Sequence, residues 1–187
     1  MTTRASTPNP ARWAIFVSGQ GSNAAELIDA RDEHEIALMV SSKALAPALL
    51  RARRAGIETV IIGARVNWSE LLQILEQKRI THIFLAGFMK VIPVEFLEKW
   101  KGLIVNIHPS LLPEYPGMQS ISRAYMDQKP VGVTTHHVTS EVDGGEIILQ
   151  SPVMTMAEQM QFTLDEVQFR THLREHELVQ MTMEKLG

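Results

Sequence analysis

The stretch LIVNIHPSLLPEYPG, residues 103–117, carries the strongest signal for both the fold and the site. Residues 103–107 form a short apolar run, which predicts a buried strand that leads into a loop stiffened by prolines. Because side chains alternate along a strand, Asn106 and His108 lie on the same side, where the chain leaves the sheet. The pattern therefore predicts an amide and an imidazole side by side at the mouth of a cleft.

A carboxylate can join them from the stretch VDGGEIILQ, residues 142–150, where Asp143 precedes Gly144-Gly145 in a predicted turn that leads into a strand. Taken singly, each residue also fits a structural role, since Asn and Asp form turns and a histidine at a strand end is commonly solvated. An amide, an imidazole and a carboxylate that converge on one point suit acyl transfer through a tetrahedral oxyanion.

The residues around this stretch alternate between short apolar runs and segments rich in helix formers. This alternation predicts βαβ units and a mainly parallel, twisted sheet with helices on both faces. A chain of 187 residues suffices for one such α/β domain. We therefore expect a single domain over residues 12–187, after a polar tail of residues 1–11 that we expect to be disordered. Predicted strands cover residues 13–17, 36–40, 58–62, 81–86, 103–107, 131–139 and 146–150.

A glycine turn, SGQGSN at residues 18–23, follows the first predicted strand and precedes a predicted helix. A strand followed by a glycine turn and a helix can direct free backbone N–H groups at a bound anion. A tight turn that binds no ligand explains the same pattern equally well. Gly19, Gly21 and Ala24 also satisfy G-x-G-x-x-A, the pattern of a dinucleotide site. That site needs an acidic residue after the second strand, where this chain has Ser41-Ser42-Lys43, so the pattern argues against a nicotinamide enzyme.

Composition narrows the class of partner. The formal net charge is −3. The chain has no cysteine, so disulfides, zinc–thiolate sites and a thiol nucleophile are excluded. No basic run indicates nucleic acid, no apolar run is long enough to span a membrane, and the histidine spacing favours no metal. We expect a cytoplasmic protein with small-molecule substrates, as a monomer or homodimer.

The phrase NIHPSLLP at residues 106–113, followed by His136 and by Asp143-Gly144-Gly145, resembles the folate-dependent formyltransferases. The continuation Tyr115-Pro116-Gly117 is most similar to members that formylate glycinamide ribonucleotide in purine synthesis. The resemblance implies a Rossmann-like fold, 10-formyltetrahydrofolate as co-substrate, no metal, and transfer of the formyl group to the ribonucleotide's amine. It extends from about residue 12 to the end of the chain.

The resemblance also implies roles for individual residues. The implied catalytic residues are Asn106, His108 and Asp143, with His136 in support, because alternation lets only one of His136 and His137 face the site. The implied ribonucleotide-binding residues are Gly19, Gly21, Ser22, Asn23 and Glu175. The implied folate-binding residues are Phe88, Met89, Lys90, Val91, Ile92, Thr139, Ser140, Glu141 and Val142, for which core packing is the alternative at Phe88, Met89, Val91 and Ile92.

Three departures from the family pattern accompany the resemblance. Ile121, which we expect in a flexible stretch after Gly117, takes the place of a usual histidine, and Lys90 takes the place of a common arginine, whose bidentate fork lysine lacks. The sequence also ends directly after its last predicted helix. Three alternative functions remain: a formyltransferase for another amine, a 10-formyltetrahydrofolate hydrolase, and a noncatalytic ligand-binding relative.

Overall fold

The computed structural model describes residues 11–32 and 34–187. Within them, a seven-stranded sheet is flanked by helices. The strands are β1 (Arg12–Val17), β2 (Glu35–Ser41), β3 (Glu58–Ile61), β4 (His82–Leu85), β5 (Leu103–His108), β6 (Gly132–His137) and β7 (Ile147–Pro152). The helices are α1 (Ser22–Asp29), α2 (Pro47–Arg54), α3 (Trp68–Gln77), α4 (Val94–Lys99), α5 (Ser120–Met126), α6 (Met156–Gln159) and α7 (Leu164–Leu186), and a 3₁₀ turn covers Ala30–Asp32.

The strand order is β3-β2-β1-β4-β5-β6-β7. Strands β1 to β5 are parallel, whereas β6 is antiparallel to β5 and β7 to β6. The chain therefore runs outward from β1 to β3 in one direction and from β4 to β7 in the other. Ligands of such sheets bind at this reversal, beyond the carboxyl ends of the strands, so the fold predicts a site between the loops that follow β1 and β4.

Alternation along β1 sorts the core into two layers, because successive side chains point to opposite faces. Trp13, Ile15 and Val17 belong to a cluster that includes buried side chains of α1, α2 and α7. Ala14 and Phe16 belong to a cluster that includes those of α3 and α4. All five side chains have no exposed surface, as expected for a central strand covered on both faces.

The predicted fold class is confirmed, as are most element positions. Thr163 and Glu166 form a capping box at the start of α7. The predicted tail lies outside the described residues except for Ala11, which packs against the core. The predicted turn at Gly144-Gly145 does lead into a strand, but it is part of a longer connection: β6 ends at His137 and its antiparallel neighbour β7 begins at Ile147.

The expectation that Ile121 lies in a flexible stretch is also wrong. Ile121 is on α5 and only 8% exposed, in a cluster with Ala124, Val131 and Val167. Separately, no helix in the described part of the chain is long and apolar enough to cross a lipid bilayer.

Candidate active site

A cleft of about 770 Å³ lies where the chain reversal predicts it. Its walls are the loop after β1, the loop after β4, the end of β5, the segment between β6 and β7, and one face of α7. Every residue that the sequence assigned to the site lines this cleft. The lining also includes Lys43 and His172, to which the sequence assigned no role.

The register between β5 and β6 brings two polar side chains together. Asn106 is the cross-strand partner of His136, and its Nδ2 lies 3.1 Å from His136 Nε2. His136 is 2% exposed and its Nδ1 donates a hydrogen bond of 2.9 Å to the carbonyl of His137. Because a carbonyl only accepts, Nδ1 carries a hydrogen, and Nε2 of the neutral ring accepts from Asn106. His137 has the opposite orientation and does not line the cleft.

Asp143 completes this group from the segment between β6 and β7. Its Oδ1 accepts a hydrogen bond of 3.2 Å from Asn106, and its Oδ2 accepts one of 2.8 Å from the backbone N–H of Gly117. Burial alone would raise the pKa of this carboxyl group, but the nearby imidazoles of His136 and His108 and the hydrogen bond from Gly117 together lower it. Asp143 is therefore a carboxylate at neutral pH.

His108 is buried at the end of β5 between two acceptors. Its Nε2 lies 2.9 Å from the carbonyl oxygen of Tyr115, and its Nδ1 lies 3.3 Å from Asp143 Oδ2. The carbonyl requires a hydrogen on Nε2, and the carboxylate favours one on Nδ1. The two contacts together suit the imidazolium form of His108, with Asp143 as its counter-charge.

Asn106 is already hydrogen-bonded in this arrangement. Its amide nitrogen donates to Asp143 Oδ1 and to His136 Nε2, so both of its hydrogens point into the protein. The sequence alone predicts a free donor at the cleft mouth. Asn106 can serve as that donor only by exchanging one of these two internal hydrogen bonds.

The glycine turn forms another part of the cleft wall. Gly21 is the N-cap of α1 in the left-handed conformation (φ 70°), without a side-chain cap. The first helical hydrogen bond runs from Ala25 N–H to the Gly21 carbonyl, so the preceding N–H groups have no intrahelical partner. Ser22 and Asn23 belong to this first turn and line the cleft, and Asn23 Oδ1 is buried without a hydrogen-bond partner in the structure.

The two glycines of this turn have different surroundings. A Cβ added at Gly21 would lie 2.5 Å from Ala48 Cβ, so this glycine is required where α1 approaches α2. A Cβ added at Gly19 meets nothing within 4 Å, and Gly19 lines the cleft. Only Gly19 leaves open space on the cleft side.

The loop after β4 exposes apolar side chains to the cleft. Met89 is 68% exposed and Val91 is 75% exposed, so core packing does not account for them. By contrast, Ile92 is buried, and the Phe88 ring packs edge-on against Phe16 with centroids 5.3 Å apart. Lys90 Nζ donates to the carbonyl of Ala64. Exposed Val142 also lines the cleft. It lies beside a turn in which Thr139 Oγ1 accepts a hydrogen bond from the N–H of Glu141, and Ser140 of the same turn lines the cleft as well.

Glu175 reaches the cleft from α7 and is 5% exposed. Its Oε2 lies 2.7 Å from His172 Nδ1, one helical turn earlier. This hydrogen bond raises the pKa of His172, against the opposing effect of partial burial. The i, i+3 spacing of His172 and Glu175 was visible in the sequence, as was the place of Lys43 shortly after the second predicted strand. In the part of the chain described by the structure, no cluster of three or more histidine and acidic side chains is arranged to hold a metal.

Known proteins resemble this chain in sequence and in fold. The family model described as "Formyl transferase" matches residues 11–183. The chain is 37% identical over 177 residues to phosphoribosylglycinamide formyltransferase of Haemophilus influenzae, with 88% of this chain and 82% of that protein covered. It is 39% identical over 178 residues to the trifunctional purine biosynthetic protein adenosine-3 of Drosophila pseudoobscura pseudoobscura, covering 88% of this chain but 13% of that protein's length.

Among solved structures, phosphoribosylglycinamide formyltransferase from Streptococcus pneumoniae superposes with a TM-score of 0.84 at 32% identity, covering 94% of this chain and 98% of that one. The family model spans nearly all of the described residues, including the cleft. The chain therefore belongs to the formyl transferase family.

Proposed function

We propose that this protein transfers the formyl group of 10-formyltetrahydrofolate to the amine of glycinamide ribonucleotide. One observation carries the proposal: a single cleft is lined by a helix start with free N–H groups, by the Asn106–His108–Asp143 group and by exposed apolar side chains. The bacterial relative and solved structure described above bear the name of this activity.

The phosphate of the ribonucleotide fits the start of α1. Free N–H groups at a helix start and the positive end of the helix dipole favour an anion, and Gly19 leaves room for its close approach. Lys43 also lines the cleft and adds a positive charge. Glu175, held by His172, would accept hydrogen bonds from the sugar hydroxyls or the amide of this substrate.

The formyl donor fits the apolar side. Met89, Val91 and Val142 expose apolar surface to the cleft, which suits the flat ring system of a folate. Methionine and valine side chains are most often buried in proteins, and here several are exposed together in one cleft. A ligand that covers them removes this apolar surface from water. Bound there, the formyl group would lie next to His108 and Asn106.

In the proposed reaction, the amine forms a bond to the formyl carbon while negative charge develops on the formyl oxygen. His108, as imidazolium with Asp143 as its counter-charge, stabilises that negative charge, and it donates a charge-assisted hydrogen bond to the oxygen by exchanging its Nε2 contact with Tyr115 or its Nδ1 contact with Asp143. One such donor is typically worth about 3–4 kcal/mol of the barrier. The bond from carbon to N10 of the folate then breaks, and the proton lost by the amine goes to N10 through the Asp143 group.

Asn106 would join as a second donor after a local exchange. If His136 carried a hydrogen on Nε2, that N–H would donate a hydrogen bond to Asp143 Oδ1, which lies 3.4 Å away. That donation would replace a hydrogen bond from Asn106 and free one amide hydrogen for the oxyanion. The exchange assigns His136 a supporting role through Asn106, without contact to the substrate.

Product identification from purified protein tests the proposal. Protein supplied with 10-formyltetrahydrofolate and glycinamide ribonucleotide should give formylated ribonucleotide in large excess over free formate. Parallel reactions with a sugar-nucleotide amine, with methionyl-tRNA and with water as the only acceptor separate the alternatives. Dominant formate release, or an absence of formylated ribonucleotide, would refute the proposed acceptor.

A further inference from the structure

The loop between β5 and α5 contacts both members of the central ion pair through its backbone. The carbonyl oxygen of Tyr115 accepts from His108 Nε2 at 2.9 Å, and the N–H of Gly117 donates to Asp143 Oδ2 at 2.8 Å. Both loop residues have left-handed backbone angles, φ 54° at Tyr115 and φ 75° at Gly117. These angles direct one acceptor at the imidazole and one donor at the carboxylate.

A left-handed conformation is unfavourable for a tyrosine, so contacts elsewhere must maintain it. Strain of this kind costs on the order of 1–3 kcal/mol and persists only where the surroundings fix the residue. The Tyr115 hydroxyl donates a hydrogen bond of 3.0 Å to Asp127 Oδ2, directly after α5. The Arg123 guanidinium lies 5.7 Å from the centroid of the Tyr115 ring and also donates to the carbonyl of Pro116.

Different contacts hold the earlier part of the same loop. Thr134 Oγ1 donates to the carbonyl of Ser110 and accepts from the N–H of Leu112. Gln150 donates to the same hydroxyl and to the carbonyl of Leu112. These bonds fasten residues 110–112 to β6 and β7, but they lie before Tyr115. The Arg123 and Asp127 contacts therefore act on the part of the loop that faces His108.

We propose that Tyr115 is a positioning residue for His108, held in place by Asp127 and Arg123. The cluster of these three side chains keeps the Tyr115 carbonyl directed at Nε2, and so keeps a hydrogen on Nε2 while Nδ1 faces Asp143. Tyr115 does not line the cleft, so this role is exerted through His108 and not through the substrate. The kinetic part of the test rests on the proposed formyl transfer.

The test is Tyr115→Phe, with Tyr125→Phe as a matched control. Tyr125 lies on α5, and its hydroxyl also donates one hydrogen bond to a loop, at the carbonyl of Phe162. One such bond is worth about 0.5–1.5 kcal/mol, so kcat of Tyr115→Phe should fall about 3- to 10-fold with KM for both substrates nearly unchanged. Tyr125→Phe should keep the kcat of the wild type.

The second readout needs no substrate. In ¹⁵N-labelled protein, NMR of the His108 ring should show a hydrogen on Nε2 in the wild type. In Tyr115→Phe, the population with a hydrogen on Nδ1 alone should grow, because Asp143 remains as the only strong acceptor among the two ring contacts. Asp127→Ala should reproduce this change, and Asp127→Asn, which retains an acceptor oxygen, should restore the wild-type pattern.

If the distribution of hydrogens between the two ring nitrogens of His108 is the same in Tyr115→Phe as in the wild type, Tyr115 does not position His108. A fall in kcat that Tyr125→Phe shares would also overturn this role. If the wild type forms no formylated ribonucleotide, the proposed function fails by itself. The NMR comparison then still decides whether the Tyr115 cluster positions His108.

Discussion

Asn106 and Asp143 are joined by a hydrogen bond of 3.2 Å, although 37 residues separate them in the chain. The same carboxylate contacts His108, so Asp143 connects an amide donor and an imidazole. Its own conformation is left-handed, with φ 55°. Among residues other than glycine, Asp and Asn adopt this conformation most readily. The turn thus accepts either residue, but only Asp supplies the charge.

Asp143→Asn should therefore keep the fold and lose most turnover. The amide can occupy the left-handed position and accept from Gly117, but it cannot balance an imidazolium or relay a proton. We expect kcat to fall at least about tenfold, with a circular dichroism spectrum like that of the wild type. Asp165→Asn, at an exposed position in the first turn of α7, controls for the loss of one carboxylate. Retention of more than about a tenth of the wild-type kcat would contradict the role of Asp143.

Gly19→Ala should weaken ribonucleotide binding without destabilising the protein. The added methyl group meets no protein atom within 4 Å and occupies space in the cleft beside the helix start. We expect KM for the ribonucleotide to rise by about tenfold, or ~1.4 kcal/mol, with KM for the folate near that of the wild type. An equal rise for both ligands would argue against a phosphate site at this loop.

A substitution at Gly21 should reduce stability, in contrast to Gly19→Ala. From the sequence alone, Gly21→Val is the natural test of phosphate approach, but its Cβ would clash with Ala48 and its φ is 70°. We expect Gly21→Val to lower the free energy of unfolding by more than about 1 kcal/mol, measured by urea denaturation. Any change in KM at this position then mixes binding with damage to the contact between α1 and α2.

The difference between the two glycines shows what the sequence can predict and what it cannot. The period of two along β5 is a local property, so Asn106 and His108 were predicted to share a side. Whether Asn106 has a free hydrogen depends on the register of β5 with β6, and the sequence contains no local signal for that register. The same holds for Gly21, whose contact with Ala48 arises only when α1 and α2 pack.

The left-handed conformation of Tyr115 is a further feature that sequence reasoning missed. Turn preferences favour Gly, Asn and Asp at positive φ, so a tyrosine gives no such signal. The contacts with Asp127 and Arg123, which lie on α5 or directly after it, hold Tyr115 in this conformation. Where the chain follows local rules, the sequence predicted the fold. Where tertiary contacts override those rules, it did not.

The ion pair between His172 and Glu175 should make a pH-dependent contribution to stability. The hydrogen bond to Glu175 raises the pKa of His172 above its ordinary value of 6.5. Below pH 6.5 the histidine is protonated in both the folded and the unfolded chain, and the contribution is fully present. As pH rises through the raised folded-state pKa, the imidazolium loses its proton and the contribution is lost.

A double-mutant cycle of His172→Gln and Glu175→Gln measures this contribution directly. The coupling free energy, from urea denaturation, should be favourable at about pH 6 and should decline toward zero by about pH 9. His137→Gln, combined with Glu175→Gln in the same way, is the control for loss of an imidazole outside the cleft. A coupling between His172 and Glu175 that is constant over this range would show that their contact does not depend on the proton.

Ile121→His should act on stability more than on chemistry, because Ile121 packs against Ala124, Val131 and Val167 and is 8% exposed. The substitution removes buried apolar surface and places an imidazole where its neighbours are apolar. Together these effects should lower the free energy of unfolding by about 2–4 kcal/mol. Ile121→Val removes one methyl group from the same place and should cost only about 0.5–1.5 kcal/mol. Because α5 carries the Arg123 contact to the loop beside His108, we expect a modest fall in kcat for Ile121→His and the same formylated product.

Urea denaturation of both variants and product analysis of the histidine variant check these outcomes. A histidine variant as stable as the wild type would mean that α5 moves away from this cluster in solution, and a change of product would mean that residue 121 helps to select the acceptor.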